Sequence, residues 1–375
     1  MIYCKKCLYP STKPDIMFGI DGICSACNAF SIRETIDWSL REKLFLDIIN
    51  PIKELSAEYD CIVPVSGGKD SHYQVIKALE HGLRILAVTA TTDHLSNLGR
   101  KNLDNISNLG VDHIEITPNK LVRRKINKHT LMEIGDISWA EHVAIFTIPM
   151  QVAIQKKIPL IIWGENPQNE YGGPLNAQVQ LELNRRWLEE YGGLNGLRVS
   201  DIIETKVATQ LDMSIYKYPT QSDTNFKVKN IFLGQFFPWD GLDNANIAIS
   251  KGFRPHYGPV EGIGYDYENL DNYQTGIHDY FKYIKFGFGR ATDLVNNHIR
   301  RKRITREEGK EIILTYDGRF PNTYLNKSIV DILFPIGVSD NEFMDTVHAF
   351  ANKELFKVDK GKVPRALFKQ DLEYA

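Results

Sequence analysis

Two clusters in this chain have the residue types and spacing to do chemistry. The first is Ser66, Gly67, Gly68, Lys69, Asp70 and Ser71, set between the run Cys61 to Val65 and a segment where Tyr73, Val75, Ile76 and Leu79 recur at helical spacing up to Gly82. That order predicts a strand, a tight loop and a helix. Two glycines let the backbone turn sharply and bring N–H groups against a bulky anion. The helix adds its positive N-terminal end, Lys69 a mobile charge, and Ser66 and Ser71 hydroxyls. The loop reads as a phosphate cradle, with a ligand-free Ser/Gly turn as the alternative. The second cluster is Cys4-x-x-Cys7 and Cys24-x-x-Cys27, two knuckles sixteen residues apart. Each knuckle can aim two thiolates at one tetrahedral ion, and four protein ligands close the coordination, so a zinc ion here is structural. The segment between them, with Pro10, Pro14, Gly19 and Gly22, reads as a short hairpin without a core, whose folding energy the metal supplies. Four reduced thiols or a redox pair are the alternative. Cys61 falls in the predicted buried strand and reads as core.

Stepping outward, the elements that must position these groups follow from periodicity. Leu83 to Ala90 and Val111 to Thr117 are two further strands, joined by a helix from about Ser96 to Leu109. Residues 120–156 form one or two helices, and Ile158 to Gly164 is a fourth strand, apolar throughout. Strands alternating with helices at this spacing predict a doubly wound parallel sheet, an α/β fold. The segment 231–240 supplies one more strand. Pro64 cannot donate to a ladder, so the first strand is expected to end near it. Ligands of such sheets sit beyond the carboxyl ends of the strands. The loop after Ala90 is therefore expected to face the ligand through Thr91, Thr92, Asp93 and Asn97, with a helix cap at Asp93 or Ser96 as the equal alternative.

The fourth strand runs into Gly164, Glu165, Asn166, Pro167, Gln168, Asn169, Glu170, Tyr171, Gly172 and Gly173. Carboxylates and amides there are where Mg²⁺ bridging phosphates is expected. The stretch 256–271 is crowded with polar and aromatic groups, the mixture that binds sugars, or is a plain surface loop. Thr305 with Glu308 fits a capping box. The basic run Arg300 to Arg303 is short and reads as a solvated helix face. Lys285 and Arg290 flank a glycine turn and are candidates to reach a phosphate or carboxylate.

With 375 residues, 43% apolar and 25% charged, the chain has an ordinary globular composition, and its net charge of −2 gives no global pull toward nucleic acid or anionic membrane. The opening MIYCKKC has no apolar signal region, and no run nears the ~18 apolar residues of a membrane span. A cytoplasmic protein is expected. The organisation reads as a zinc ribbon (1–30), a linker helix (31–57), a nucleotide domain (58–240) and a helical, substrate-binding C-terminal part (241–375).

The loop SGGKDS is not a Walker loop; it resembles the pyrophosphate loop of the ATP pyrophosphatase (PP-loop) superfamily, S-G-G-x-D-S. The stretch 164–173 looks like the G-E-G-S-D-E-x-F-G-G element of asparagine synthetases in that superfamily, with Gln168 and Asn169 where acids would stand. Metal ligation is then expected to shift to Glu165, Glu170 or Asp70. The ribbon, VPVSGGKDSHYQV, WGENP…EYGG, and KFGFGRATD followed by ITREEG together resemble the bacterial N-acetyl-sugar amidotransferases of the WbpG and PseA type.

The resemblance implies transfer of AMP from ATP to an amide oxygen of a sugar acetamido group, with loss of pyrophosphate, and displacement of AMP by ammonia to give an acetamidino group. It implies ATP, Mg²⁺ and structural Zn²⁺. Ser66 to Ser71, Thr89, Asp93 and Gly164 are expected to bind nucleotide. Lys69, Asp70, Glu165, Glu170, Lys285 and Arg290 are the expected catalytic set, with Glu165 or Glu170 for metal or for the proton ammonia must lose. No glutaminase cysteine and histidine set is left over, so the resemblance implies a separate glutaminase and a cyclase-like barrel subunit, similar to those of histidine biosynthesis. The expected substrate is a small-molecule sugar, free or nucleotide-linked, with no nucleic acid or membrane partner. The alternatives are a tRNA-modifying PP-loop enzyme, a thiolase or lysidine-synthetase-like, and a nucleotide-binding regulatory module without turnover.

Overall fold

In the computed structural model, which describes residues 1–56, 58–174, 182–183, 185–219 and 225–375, one sheet holds β1 (Cys61–Pro64), β2 (Ile85–Ala90), β3 (Asp112–Ile116), β4 (Leu160–Trp163) and β5 (Lys229–Phe232). The order is β3-β2-β1-β4-β5 and every pairing is parallel. This is the expected doubly wound α/β fold. Pro64 is the last residue of β1, so its missing N–H falls where the ladder ends.

Side chains of each strand alternate between two apolar layers. Ile62, Leu86, Val88 and Ile161 point to one, where they meet Trp139, Val143, Ala144, Ile148 and Val152 of α6 (Trp139–Lys156). Cys61, Val63, Ile85, Ala87 and Ile162 point to the other, against α3 (Lys69–Glu80), α4 (Asn97–Asn108) and α2 (Trp38–Leu55), whose Phe45 and Ile49 are fully buried. Each such side chain contributes about 1.5–3 kcal/mol of burial. The stretch 31–57 thus carries part of the sheet's cover. It also takes in the end of α1 (Ser25–Arg33), which starts inside the second cysteine knuckle. Helix α5 (Lys120–Ile134) completes the region before α6. Ser96 caps α4, its hydroxyl accepting from the Gly99 N–H at 2.7 Å.

Beyond the sheet, helices Thr275–Phe286 and Arg290–Arg300 are separated by Gly287 at φ +78°, and the expected capping box of Thr305 and Glu308 opens the helix Arg306–Tyr316. Among the described residues, no helix is long and apolar enough to cross a membrane.

The four ribbon cysteines are fully buried, and their sulfurs all lie within 4.8 Å of one another. Cys4 and Cys27 Sγ are 3.9 Å apart and those of Cys7 and Cys24 3.6 Å. A tetrahedral zinc with sulfurs at ~2.3 Å needs S–S edges of about 3.8 Å, so the donors fit that ion. The N–H groups of Lys6, Cys7 and Cys24 donate to Cys4 Sγ at 3.4, 3.5 and 3.2 Å, which suits an anionic thiolate.

The ribbon is wedged between two other parts of the chain. Leu8 N–H donates to Asn296 Oδ1 at 2.6 Å and Tyr9 O–H to Asp293 Oδ1 at 3.0 Å, both on the Arg290–Arg300 helix. On its other side Ser25 Oγ donates to the Gly172 carbonyl at 3.0 Å, at the end of the short helix α7 (Pro167–Tyr171) that follows β4. Gly172 has φ +80°, and a Cβ there would lie 2.5 Å from Ala26 Cβ and 2.7 Å from its backbone nitrogen. Gly172→Ala is therefore expected to lower stability by about 1–3 kcal/mol through backbone strain and the clash. Urea unfolding measures this, and an unchanged midpoint would show that the ribbon does not press on α7.

Candidate active site

β1 and β4 are neighbours whose outgoing connections diverge, since β1 continues toward β2 on one side and β4 toward β5 on the other. A crevice opens at the carboxyl ends of strands at such a switch point. The phosphate loop lies there. Gly67 has φ +88°, and a Cβ would sit 2.7 Å from the Leu103 backbone nitrogen of α4, so no other residue fits without moving that helix. Gly68 is the N-cap of α3 and provides no side-chain acceptor, which leaves the helix N-terminus open to an anion. Ser66 N–H donates to Ser71 Oγ at 3.0 Å and Gly68 N–H to Ser66 Oγ at 3.3 Å, so the serines also set the loop's shape.

Lys69 is buried, with Nζ 2.6 Å from Asp70 Oδ2 and 2.6 Å from Glu268 Oε2. Burial alone lowers its pKa, but the two carboxylates outweigh that and hold it well above the usual lysine value. Asn244 Nδ2 donates to Asp70 Oδ1 at 2.8 Å. Glu268 stays below the usual carboxyl range because Lys69 and Arg290 overcome its desolvation. Glu165 follows β4; burial first, and then the Asp70 charge, pushes its carboxyl up to about 7. Asp70 and Glu268 thus flank one ammonium, and Glu165 is buried near enough to feel the Asp70 charge; Mg²⁺ takes oxygen donors of this kind.

These groups line one end of a cavity of about 620 Å³. Ser66, Lys69, Asp70, Ser71, Gly164, Glu165, Glu268 and Arg290 are on its wall, and so are Phe146, Trp163, Trp187 and Tyr191. Trp163 is fixed by Nε1 donating to Asn230 Oδ1 at 3.1 Å and lies 5.3 Å from the Phe146 ring. The cavity therefore joins a charged floor to flat apolar faces suited to a base or a sugar ring.

Several expected site residues are employed elsewhere. Lys285 donates to the carbonyls of Ile134 and Gly135 at 2.6 and 3.0 Å, closing the C-terminus of α5, and does not line the cavity. Glu170 reaches the cavity wall, but its carboxylate pairs with Arg33 and lies 3.6 Å from Arg301, so those cations compete with any metal for it. Thr89 donates to the Val65 carbonyl at 2.7 Å and contacts His113 Nε2 at 2.8 Å, holding β2 to the end of β1. Asp93 is buried against Arg123, with Arg124 at 3.5 Å. The loop after β2 accordingly braces α5 and the 270–273 segment, and only Val88 and Ala90 of that region border the cavity. The basic run is split: Arg300 is buried, donating to the Glu170 carbonyl at 3.2 Å, whereas Lys302 and Arg303 are exposed as expected, Arg303 pairing with Asp240 and Asp243 at 2.8 and 3.0 Å. Glu268 and Asn269, by contrast, bring the 256–271 stretch into the site. Glu268 was not singled out within that stretch, because only folding sets it against Lys69.

Residues 263–369 match the family model described as LPS biosynthesis protein WbpG-like, C-terminal domain. That stretch of the chain is similar to the WbpG-like C-terminal domain. The motif resemblance is borne out over that stretch, and the WbpG-like part supplies Glu268, Asn269, Arg290, Leu294 and Asn297 to the cavity. Among solved structures, NMN synthetase from Francisella tularensis aligns at 13% identity and a TM-score of 0.29, over 58% of this chain and 96% of its own. NH3-dependent NAD synthetase from Campylobacter jejuni subsp. jejuni NCTC 11168, in complex with the nitrate ion, aligns at 13% identity and a TM-score of 0.30, over 59% and 99%. No protein of curated function matches.

The raised Glu165 pKa makes a signed prediction. The folded value of about 7 exceeds the ordinary 4.5, so the native state holds a proton that the unfolded chain has lost, and the wild type loses stability as pH rises across that window. In magnesium-free buffer the stability advantage of Glu165→Gln over wild type should grow from about pH 4.5 to 7 and then level off. A difference that is flat with pH would contradict the burial of this carboxyl beside Asp70.

Proposed function

We propose that this chain is an ATP-dependent, AMP-forming amidotransferase that converts the acetamido group of a sugar into an acetamidino group. The observation that carries the reading is the SGGKDS loop at the switch point, with Lys69 clasped between Asp70 and Glu268 on the floor of the cavity. The WbpG-like lipopolysaccharide-biosynthesis character of residues 263–369 favours a sugar acceptor.

In this reading the N–H groups at the start of α3, Lys69 and the two serines hold the β and γ phosphates. Mg²⁺, held by carboxylates among Asp70, Glu165 and Glu268, would neutralise charge on the departing pyrophosphate. The acceptor's amide oxygen attacks the α phosphorus, the bond to pyrophosphate breaks, and an O-adenylyl imidate forms. Ammonia adds to the imidate carbon, a proton leaves nitrogen, and AMP departs with the C–O bonding pair. The aromatic wall of Phe146, Trp163, Trp187 and Tyr191 seats the adenine or the sugar, and Arg290 reaches a phosphate or carboxylate of the acceptor.

Ammonia is supplied by a separate glutaminase and a cyclase-like barrel subunit. Four of the five cysteines cluster in the ribbon, and Cys61 is buried in β1 with its thiol pushed up by desolvation, so none is placed as a glutaminase nucleophile. Turnover with glutamine by this chain alone would contradict that arrangement.

The test is acceptor-dependent ATP–pyrophosphate exchange with Mg²⁺ and a panel of UDP-linked N-acetyl hexosamines and free nonulosonic acids. Mass spectrometry then follows exchange of an oxygen for NH when ammonium is added. One acceptor should support both, and Lys69→Ala should slow exchange by ~10²–10³-fold. Exchange that needs no acceptor, or needs tRNA instead, would overturn the assignment.

A further inference from the structure

Resting on that function, we propose that His142, beside Asp136 and His278 on the cavity wall, accepts the proton that the attacking nitrogen must lose. The expected acceptors are poorly free for this. Glu170 is held by Arg33 and Arg301, and Glu165 sits among the charges of Asp70, Lys69 and Glu268. His142 lies on α6 and borders the same cavity, next to Ile145, Phe146, Gly192 and Gly193. None of the charges that bear on it belongs to the phosphate loop.

Its surroundings are built. Asp136, in the turn before α6, is 2% exposed on its side chain and accepts from the Ser138 N–H at 2.8 Å and Asn195 Nδ2 at 3.1 Å. His278 Nδ1, from the Thr275–Phe286 helix, is 3.1 Å from Asp136 Oδ1, and His142 Nδ1 is 3.8 Å from Oδ2. The imidazole rings are 5.0 Å apart at 85°. Asp136 is therefore hydrogen-bonded to His278 and bears on His142 through its charge. The groups facing His278 are Asp136, Asp279 and Arg290; against its burial, the two aspartates raise its pKa. Those facing His142 are Asp136, His278, Asp279 and the Gly193 carbonyl; here burial dominates and lowers the pKa. His278 takes the positive charge first and keeps His142 neutral, and a neutral imidazole is what a proton acceptor must be. Asp279 also lies 3.8 Å from Arg290, so the array continues along the wall toward Glu268.

The step balances. Nitrogen donates its lone pair to the imidate carbon, an N–H bond breaks with its electrons left on nitrogen, the proton joins the free ring nitrogen of neutral His142, and the C–O bond to AMP breaks with its pair on AMP.

The test compares wild type, His142→Gln, His142→Ala and His278→Gln, using ammonium chloride and whichever UDP-linked N-acetyl hexosamine supports exchange. Both His142 variants should lose ~10²-fold or more in kcat/KM for ammonium, while ATP–pyrophosphate exchange falls less than about fivefold. Their pH profiles should lose the acidic limb that wild type shows. His278→Gln should move that limb to higher pH, since the competing charge on His142 is gone. Parallel loss of exchange and amidine formation, or a change confined to the acceptor KM, would overturn the inference, and thermal melting separates either from misfolding. A wild type without acceptor-dependent exchange overturns the underlying function instead.

Discussion

The rest of the site depends on one buried ammonium. Lys69 is nearly removed from water, which costs several kcal/mol for an unpaired charge, and it is tolerable there because Asp70 and Glu268 each come within 2.6 Å. Asp70 is its neighbour on α3, but Glu268 comes from nearly two hundred residues later. The pair therefore ties the WbpG-like C-terminal part to the loop of the sheet and closes the floor of the cavity. A di- or triphosphate entering this floor meets a lysine that must exchange carboxylate partners for phosphate oxygens. That exchange is a source of selectivity, since a neutral ligand could not compensate the lost pairs.

A second constraint comes from the ribbon. Its cysteines, Tyr9 and Ala26 form a buried cluster with Phe288, and the segment presses on α7 through Ala26 and Ser25 and reaches Glu170 through Arg33. The opposite face holds Asp293 and Asn296 of the Arg290–Arg300 helix. The ribbon's contacts thus brace two walls of the cavity. The closed four-sulfur donor set suits that task, because it has no open position to react.

What was legible in the sequence was what local rules encode. The glycine loop, the cysteine knuckles, the capping box at Thr305 and the alternation of strand and helix each follow from residues near one another in the chain. The strands matched to within two residues of Ile85–Ala90, Asp112–Ile116 and Leu160–Trp163, the first and last as buried apolar runs and the edge strand as an alternation of apolar and polar residues. What failed was direction. Lys285 and Arg290 flank the same glycine turn, yet one closes α5 and the other enters the cavity. Glu170 and Asp93 were plausible metal or nucleotide contacts until folding supplied Arg33 and Arg123. Glu268 and His142 carried no local signal, since their meaning lies in Lys69 and Asp136, partners that only the tertiary fold places beside them. Arg300 looked solvated for the same reason, while Lys302 and Arg303 are exposed as expected.

The central claim is that Lys69 and the loop grip the pyrophosphate half of ATP, so that the α phosphorus is the atom attacked. Phosphorus NMR of the products of a complete reaction tests it most directly. The account predicts AMP and pyrophosphate in equal amounts, with the AMP oxygen label traced to the acceptor's amide oxygen. ADP and inorganic phosphate would contradict it, whatever the acceptor proved to be.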